Sequence, residues 1–412
     1  MPQTPTPAPE SAAPPARLMS LDALRGFDMM WIVGGGSLVY ALQRMRPTPL
    51  TSFLADQCEH VDWAGFHFYD LIFPLFVFMV GVSAVFSLSR ALDDHGLGLA
   101  LQRVVRRSAL LFVIALLYSG GFSKPWPELR LLGVLNLIAV SYCGAGLSFC
   151  LLRRRPTALA GVCAGLLLGY AALLLFVPYP DVRPVPGGDQ IIAKETGFTN
   201  SAQLNFASTN RLRGCFRKGV TLANYVDQRY LPGRKWEGTW DPEGLLTPLG
   251  GTACCLLGVF AGLLLQAPRI VPRHKVPLLL VGGAMCVAAG FLWGQWLPVI
   301  KKIWSPSFVL VAGGYSALLL GAFYLVVDVA GWRRWGQPFV WIGMNPITIY
   351  ILNSLLGGYE KVAARFVGGS IERFFDAHVA KGLGGLTVAA VGVLLAFLVA
   401  RFLYRRKVFL RL

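Results

Sequence analysis

The sequence predicts an all-α membrane protein: a polytopic helix bundle with about ten transmembrane helices and both termini in the cytoplasm. The 412-residue chain is 55% hydrophobic and only 14% charged, with a mean hydropathy of +0.56. A soluble domain carries about a quarter charged residues. The apolar runs are continuous, and each approaches the roughly 20 residues that a spanning helix needs. These observations favour spanning helices.

Ten apolar segments are long enough to cross a bilayer. Lys and Arg concentrate in every second gap between them, and this bias predicts that those gaps and both termini are cytoplasmic. The net charge of +17 therefore reflects topology and attraction to anionic lipid, and no motif supports nucleic acid as a partner. The segments lie at about 20–42, 66–89, 103–121, 131–152, 157–177, 246–266, 276–297, 305–328, 337–356 and 385–404.

Two regions outside these segments differ in composition. Residues 1–16 are rich in Pro and Ala, which predicts a disordered tail without the cationic start of a signal peptide. Residues 17–412 are predicted to form a single transmembrane domain with a long outer loop at 178–245. Within that loop, "GVTLANYVDQRYL" predicts a short helix lying on the surface. Cys58 and Cys215 fall in outer loops, and whether they form a disulfide stays open.

The stretch "EHVDWAGFHFYDLIFPLFVFMVG", residues 59–81, brings His60, Asp62, His67 and Asp70 to the outer mouth of the second span. A carboxylate inside a span is costly and usually faces a polar cavity, so a functional Asp70 is favoured over a purely structural ion pair. A histidine here can take a proton from an amine or hydroxyl while a carboxylate fixes its tautomer. A metal site is ranked low, because no HxxxH or CxxC spacing is present.

Polar side chains at the ends of other spans are predicted to bind substrate near this cluster. Asp241 precedes Pro242, which is the pattern of a helix N-terminus, so capping is its simplest interpretation. The "MNPIT" motif predicts a break in the ninth span, whose freed backbone must face protein or a cavity. The residues expected at the substrate site are Asp62, Asn136, Asp241, Glu243 and Asn345.

The first span carries charges of both signs in "RLMSLDALRGFDMMW", residues 17–31. Three residues separate Asp22 from Arg25 and Arg25 from Asp28, a spacing that permits a local ion-pair ladder. The alternative is an anion site, because Arg25 and the arginines that open the third span could hold phosphates at the cytoplasmic face. The residues expected at this cofactor site are Arg25, Asp28, Arg103, Arg106 and Arg107.

Six motifs in order resemble those of bacterial relatives of heparan-α-glucosaminide N-acetyltransferase, a transmembrane acyltransferase family. They are "SLDALRGFDMMWIVGG", "HVDWAGFHFYDLIFPLFVFMVGVS", "GTWDPEGLLTPLGGTACCLLGVFAG", "LPVIKKIWSPSFVLVAGGYSALLLGAFYLVVDV", "WIGMNPITIYILN" and "LYRRKVFLRL". The resemblance covers nearly the whole chain after residue 17. It implies transfer of acetyl from cytoplasmic acetyl-CoA to a glucosamine amine across the membrane, with no metal. It also implies that His60 is the catalytic histidine and that Asp70 is its acidic partner.

On this resemblance we expect an N-acetyltransferase of a bacterial inner membrane, with membrane lipids around it and an amino sugar or glycan as acceptor. Acylation of a hydroxyl, a homodimer, direct transfer and transfer through an acetylated His60 all stay open. A proton-coupled carrier or flippase of a glycan precursor is an alternative function. A non-catalytic CoA-binding relative is another, motivated by Gly36, Leu137 and Ile300, which stand where relatives carry polar side chains.

Overall fold

A computed structural model describes residues 18–181 and 208–409, so the predicted tail at 1–16 and part of the predicted outer loop lie outside the described residues. A short antiparallel pair, β1 (Tyr179–Pro180) with β2 (Arg211–Leu212), joins the two ends of that loop. The described helices are α1 (Met19–Met30), α2 (Gly36–Met45), α3 (Pro49–Gln57), α4 (Phe68–Tyr118), α5 (Val134–Leu152), α6 (Pro156–Phe176), α7 (Leu222–Tyr230), α8 (Thr247–Gln266), α9 (Pro272–Trp293), α10 (Pro306–Phe323), α11 (Arg333–Gly343), α12 (Pro346–Leu355), α13 (Tyr359–Val367), α14 (Ser370–His378) and α15 (Leu383–Arg405).

Seven helices in the described residues are long and apolar enough to cross a membrane. This finding confirms the all-α membrane class, whereas the count of ten spans and the side of the termini stay predictions. α4 contains two of the predicted spans, because Gly96 interrupts it with a φ of 77°. Leu88 and Val104, on either side of Gly96, both pack against Gly146. A straight helix would hold them about 24 Å apart, so α4 is a helical hairpin.

The first and ninth predicted spans are broken helices. In the first, α1 passes into a π-helical turn at Trp31–Gly35 before α2 begins. Gly34 has a φ of 149° there, a conformation that glycine adopts at little cost. In the ninth, α11 ends at Gly343 and α12 begins at Pro346, which confirms the break predicted beside Asn345.

The centre of the bundle depends on a close approach of α4 and α8. A Cβ atom at Gly81 would lie 1.9 Å from the carbonyl oxygen of Cys255, and one at Gly258 would lie 1.9 Å from that of Phe78. Small residues permit this approach, and the resulting van der Waals contact is what drives helix association in a bilayer. The first half of α4, whose first turn contains Asp70, is therefore packed tightly against α8.

The bundle has two ends, which we call the His60 end and the Arg153 end. At the Arg153 end, Arg153 donates hydrogen bonds to Asp93 at 2.6 and 3.1 Å and so joins α5 to the turn of the α4 hairpin. At the His60 end lie the first turn of α4, the start of α8 and the loop helix α7.

The short helix predicted in the outer loop is present as α7, but it is buried rather than lying on the surface. Its Leu222 packs in one apolar cluster with Tyr170 and Leu174 of α6. Elsewhere in the loops, the thiols of Cys58 and Cys215 are both free.

Candidate active site

His60 and Asp70 form a hydrogen-bonded pair where α4 begins. His60 lies in the non-helical segment before α4, and its Nδ1 is 2.9 Å from Oδ1 of Asp70 in the first turn. The Asp70 side chain is 1% exposed, whereas half of the His60 side chain is exposed. A buried carboxylate thus holds one ring nitrogen of an accessible imidazole, and the two residues predicted to be catalytic lie side by side.

The second oxygen of Asp70 holds the segment that carries His60. Oδ2 accepts hydrogen bonds from the backbone N–H groups of Val61 at 3.2 Å and His67 at 3.1 Å. His67 precedes the first turn of α4 in an extended conformation, although a helical spacing of three would place it on the same face as Asp70. These bonds satisfy the buried carboxylate and fix the position of His60 relative to α4.

Lys301 completes the cluster, although the sequence analysis did not assign it a role. Its Nζ lies 2.9 Å from Nδ1 and 3.4 Å from Nε2 of His60, and 3.3 Å from Oδ1 of Asp70. An ammonium group in the ring plane beyond Nδ1 would be much farther from Nε2, so Lys301 lies over the face of the ring. The in-plane Nδ1–H therefore points to Asp70, which leaves the lone pair of Nε2 available for chemistry.

Two cavities meet at this cluster. The apolar cavity has a volume of about 230 Å³, and the polar cavity has a volume of about 500 Å³. The apolar cavity is lined mainly by Met29, Ile32, Ile72, Phe73, Phe76 and Leu135, and the polar cavity by Asp62, Arg130, Trp236, Glu237, Lys302 and Trp304. His60, Val134, Glu243, Lys301 and Tyr350 line both, so His60 stands on the wall that the two cavities share.

A buried ion-pair network forms one side of the polar cavity. Arg130 donates to both oxygens of Asp241, at 2.8 and 2.6 Å, and to Oε2 of Glu243 at 2.6 Å. Its guanidinium lies 5.0 Å from the ring centre of Trp236. Burial, together with the neighbouring Asp241 carboxylate, raises the pKa of Glu243. Glu243 thus belongs to the ion-pair network and also lies on the wall that the two cavities share.

The capping interpretation of Asp241 is wrong. α8 begins at Thr247, and Asp241 lies in the preceding loop with 1% exposure. Its carboxylate accepts hydrogen bonds from Arg130 and from the backbone N–H of Glu243 at 3.1 Å. A bidentate guanidinium satisfies both oxygens better than the end of a helix could, and Pro242 belongs to a turn in this loop.

Asp227 of α7 anchors the loop that presents Glu243. It accepts hydrogen bonds from the backbone N–H groups of Leu245 at 2.8 Å and Asp241 at 3.3 Å. A Cβ atom at Gly244 would overlap the Asp227 carboxylate, so this contact requires glycine. Burial raises the pKa of Asp227 to about 7, although the two backbone hydrogen bonds act in the opposite direction.

Asp62 and Glu243 are the predicted substrate residues that the structure brings to the polar cavity. The Asp62 side chain is 75% exposed and accepts a hydrogen bond from Lys218, which lowers its pKa. Asp241 lines neither cavity, but it holds Arg130, which lines the polar cavity.

The two predicted asparagines lie away from the cluster. Asn136 is 1% exposed in α5, donates to the carbonyl oxygen of Phe112 at 3.4 Å and lines neither cavity. Asn345 lies at the break before α12 and donates to the carbonyl oxygen of Val408 at 2.9 Å. Neither side chain therefore reaches the two cavities.

Arg25 and Asp28 do not form the predicted ion-pair ladder. Arg25 donates to Asp22 at 3.1 Å and also to the hydroxyl of Ser83. Asp28 is fully buried, and its two carboxylate oxygens have no hydrogen-bond partner within the described ranges. The ladder therefore ends at Arg25.

The other predicted cofactor residues lie along the second half of α4. The guanidinium of Arg107 lies 4.7 Å from the ring centre of Tyr142 in α5. Arg103 and Arg106 are exposed. The structure thus shows no single cluster of these cations in the part of the chain that it describes.

Lys301 and Arg130 are the site residues that sequence reasoning missed. Both lie in short gaps on the predicted outer side, close to an apolar segment. A cation on that side, as in "PVIKK" or "PELRLL", is the signal that could have found them. No comparable signal marks Tyr350, whose ring lines both cavities.

Comparisons with known proteins relate this chain to one enzyme family. A family model described as "Heparan-alpha-glucosaminide N-acetyltransferase, catalytic" matches residues 17–179, which include His60, Asp70 and Arg130. Heparan-alpha-glucosaminide N-acetyltransferases from Homo sapiens and Mus musculus are each 26% identical to this chain, over 97% and 95% of its length. The chain covers 60% of the length of both relatives.

Proposed function

This chain is related to the heparan-α-glucosaminide N-acetyltransferase family, which supports an acyltransferase-like function, and on that premise we propose that it transfers acetyl from acetyl-CoA to an amino sugar. One observation carries the proposal. His60 is held by the buried Asp70 and lies on the wall shared by an apolar and a polar cavity. A base in that position can reach a thioester in one cavity and an amine in the other.

The proposed reaction begins with a neutral His60. Nε2 takes a proton from the acceptor amine while the amine nitrogen attacks the thioester carbonyl. The new C–N bond forms, the C–S bond breaks, and the leaving thiolate of CoA takes the proton from His60. Asp70 holds Nδ1–H throughout and stabilises the transient imidazolium. A two-step route, in which Nε2 first accepts the acetyl group, needs the same neutral ring.

The cavities suit these two substrates differently. The polar cavity offers the carboxyl groups of Asp62 and Glu243 to hydroxyl and amino groups, and the exposed ring of Trp236 to the apolar face of a sugar. The apolar cavity is compatible with the uncharged thioester end of acetyl-CoA. The exposed cations Arg103 and Arg106 are the proposed contacts for its phosphates.

We also propose the membrane and the orientation in which this protein works. The protein would lie in a bacterial inner membrane with its termini in the cytoplasm, so that acetyl-CoA comes from inside and the acceptor lies at the outer face. Labelling single cysteines at the two ends of the bundle with a membrane-impermeant reagent tests this orientation. The same membranes, after cross-linking, report whether the protein is a homodimer.

The test of the function is acetyl transfer from radiolabelled acetyl-CoA to a panel of amino sugars by purified protein. His60→Ala should reduce transfer by about 10²–10⁴-fold, the usual contribution of a general base. His67→Ala is the matched control, because the His67 ring lines neither cavity and should leave the rate within a few-fold of wild type. The pH–rate profile should fall on the acidic side, and a flat rate from about pH 5 to 8 would contradict both routes.

The other outcomes separate the competing functions. Absence of both acetyl-CoA binding and transfer would overturn the proposal and favour a carrier in which His60 and Asp70 relay protons. Binding of acetyl-CoA without transfer to any amine or hydroxyl would instead indicate a non-catalytic relative.

A further inference from the structure

We propose that Lys301 is a positioning residue that keeps His60 neutral and therefore able to accept a proton, an inference that rests on the proposed function of this site. Its Nζ lies over the imidazole face, 2.9 Å from Nδ1 and 3.4 Å from Nε2. A positive charge at that distance strongly disfavours a second positive charge on the ring.

The contacts of Asp70 show why a positive charge is needed beside His60. A carboxylate beside a histidine favours the imidazolium form, which cannot act as a base. Oδ1 of Asp70 is 2.9 Å from Nδ1 of His60 and also 3.3 Å from Nζ of Lys301. When His60 is neutral, the charges of Asp70 and Lys301 cancel. Protonation of His60 would leave one uncompensated positive charge in the cluster. Lys301 thus lets Asp70 fix the tautomer without trapping the proton.

Lys302 has a different role from Lys301 although it is the next residue and equally exposed. The two side chains are 20% and 21% exposed, but Lys302 donates to Glu237 at 2.6 Å. Within residues 18–181 and 208–409, Lys301 is the one side-chain cation whose nitrogen lies within 3.5 Å of the His60 ring nitrogens.

The remaining titratable groups around the ring have other partners. Glu243, which also lines both cavities, is hydrogen-bonded to Arg130, and Asp62 is hydrogen-bonded to Lys218. The Tyr69 ring centre lies 4.9 Å from that of His60. Burial lowers the pKa of Lys301, and the Asp70 carboxylate counteracts this effect, so Asp70 supports both the tautomer of His60 and the charge of Lys301.

The experiment measures the protonation of His60 with and without turnover. Diethyl pyrocarbonate modifies neutral imidazole, and mass spectrometry gives its rate at His60 as a function of pH, with His67 as an internal reference. The same proteins give the acidic limb of the kcat/KM profile for acetyl transfer. The set comprises wild type, Lys301→Met, Lys301→Arg and, as the matched control, Lys302→Met.

We expect Lys301→Met to move both pH midpoints upward by about one unit or more, which is a tenfold or greater change in the protonation equilibrium. Lys301→Arg should keep both midpoints near those of wild type, and so should Lys302→Met. Unchanged midpoints in a folded Lys301→Met protein would overturn the inference, whatever happens to the rate. A shifted modification profile in a protein without transferase activity would support the role of Lys301 and count against the proposed function alone.

Discussion

The His60 cluster and the predicted cofactor residues differ in how their charges are paired. At the His60 end, side chains from distant segments converge, and Lys301 reaches the His60 ring across 241 positions of sequence. Among the predicted cofactor residues the charges are paired locally or stay apart, as Arg25 with Asp22 and the exposed Arg103 show. Long-range convergence on a cavity, rather than close spacing in sequence, therefore distinguishes the candidate active site.

The largest loss of activity is expected for a substitution at Asp70, within the His60 cluster. In Asp70→Asn the amide can donate to Nδ1, which places the ring proton on Nε2 and removes the base. We expect kcat to fall by about 10²–10⁴-fold with little change in the KM for acetyl-CoA. Asp62→Asn is the control, because its side chain is 75% exposed and should alter mainly the KM for the acceptor. A fully active Asp70→Asn would remove the dyad from the mechanism.

A stability measurement compares the two ends of the bundle directly. Arg130→Met leaves the Asp241 and Glu243 carboxylates without their cation, and breaking a buried pair in this way costs about 3–5 kcal/mol. Arg153→Met breaks a pair whose Asp93 side chain is 63% exposed, and such surface pairs contribute about 0–1 kcal/mol. Thermal unfolding in detergent should therefore show a large loss for the first variant only. Equal losses would contradict the difference in burial.

The proposed phosphate contacts give a smaller effect. Arg103→Ala combined with Arg106→Ala should raise the KM for acetyl-CoA by about tenfold or more and leave kcat nearly unchanged, because one charge-assisted hydrogen bond contributes about 1.5–3 kcal/mol. Asp28→Asn is the control, since Asp28 is fully buried and lines neither cavity. An unchanged KM in the double variant would remove these two arginines from the proposed CoA site.

The smallest expected effect concerns Asp227. Its pKa is raised to about 7 in the fold, above the value of about 3.9 in an unfolded chain. The native state therefore binds the extra proton, so stability from this group is complete below about pH 4 and is lost as the pH rises through 7. Unfolding temperatures measured from pH 5 to 8 should fall by a few degrees in wild type. Asp227→Asn should flatten that dependence, and an equally steep slope in the variant would assign it to other groups.

The parts of the fold and site that could be predicted depend on residues that lie close together in the sequence. Apolar runs identified the helices, Pro346 identified the break before α12, and ten residues of sequence were enough to bring His60 and Asp70 together. The spacing of charges along one helix also predicted the contact between Asp22 and Arg25.

The remaining features depend on which way each helix faces, and one sequence does not contain that information. Asn136 and Glu243 were both predicted at the substrate site, yet only Glu243 faces the cavities, because the rotation of α5 is set by packing against its neighbours. Lys301 lies in a short turn between α9 and α10, and its place in the site depends on how those two helices pack. Asp241 was misassigned because its partner, Arg130, lies 111 positions away.

The hydrogen bond from Asn345 to the carbonyl oxygen of Val408 has a practical consequence. It ties the end of the described chain to the start of α12, whose Pro346, Ile347 and Tyr350 face the apolar cavity. A C-terminal truncation that removes Val408 would remove a support from one side of that cavity, so the residues through Val408 should be kept when the protein is shortened for expression.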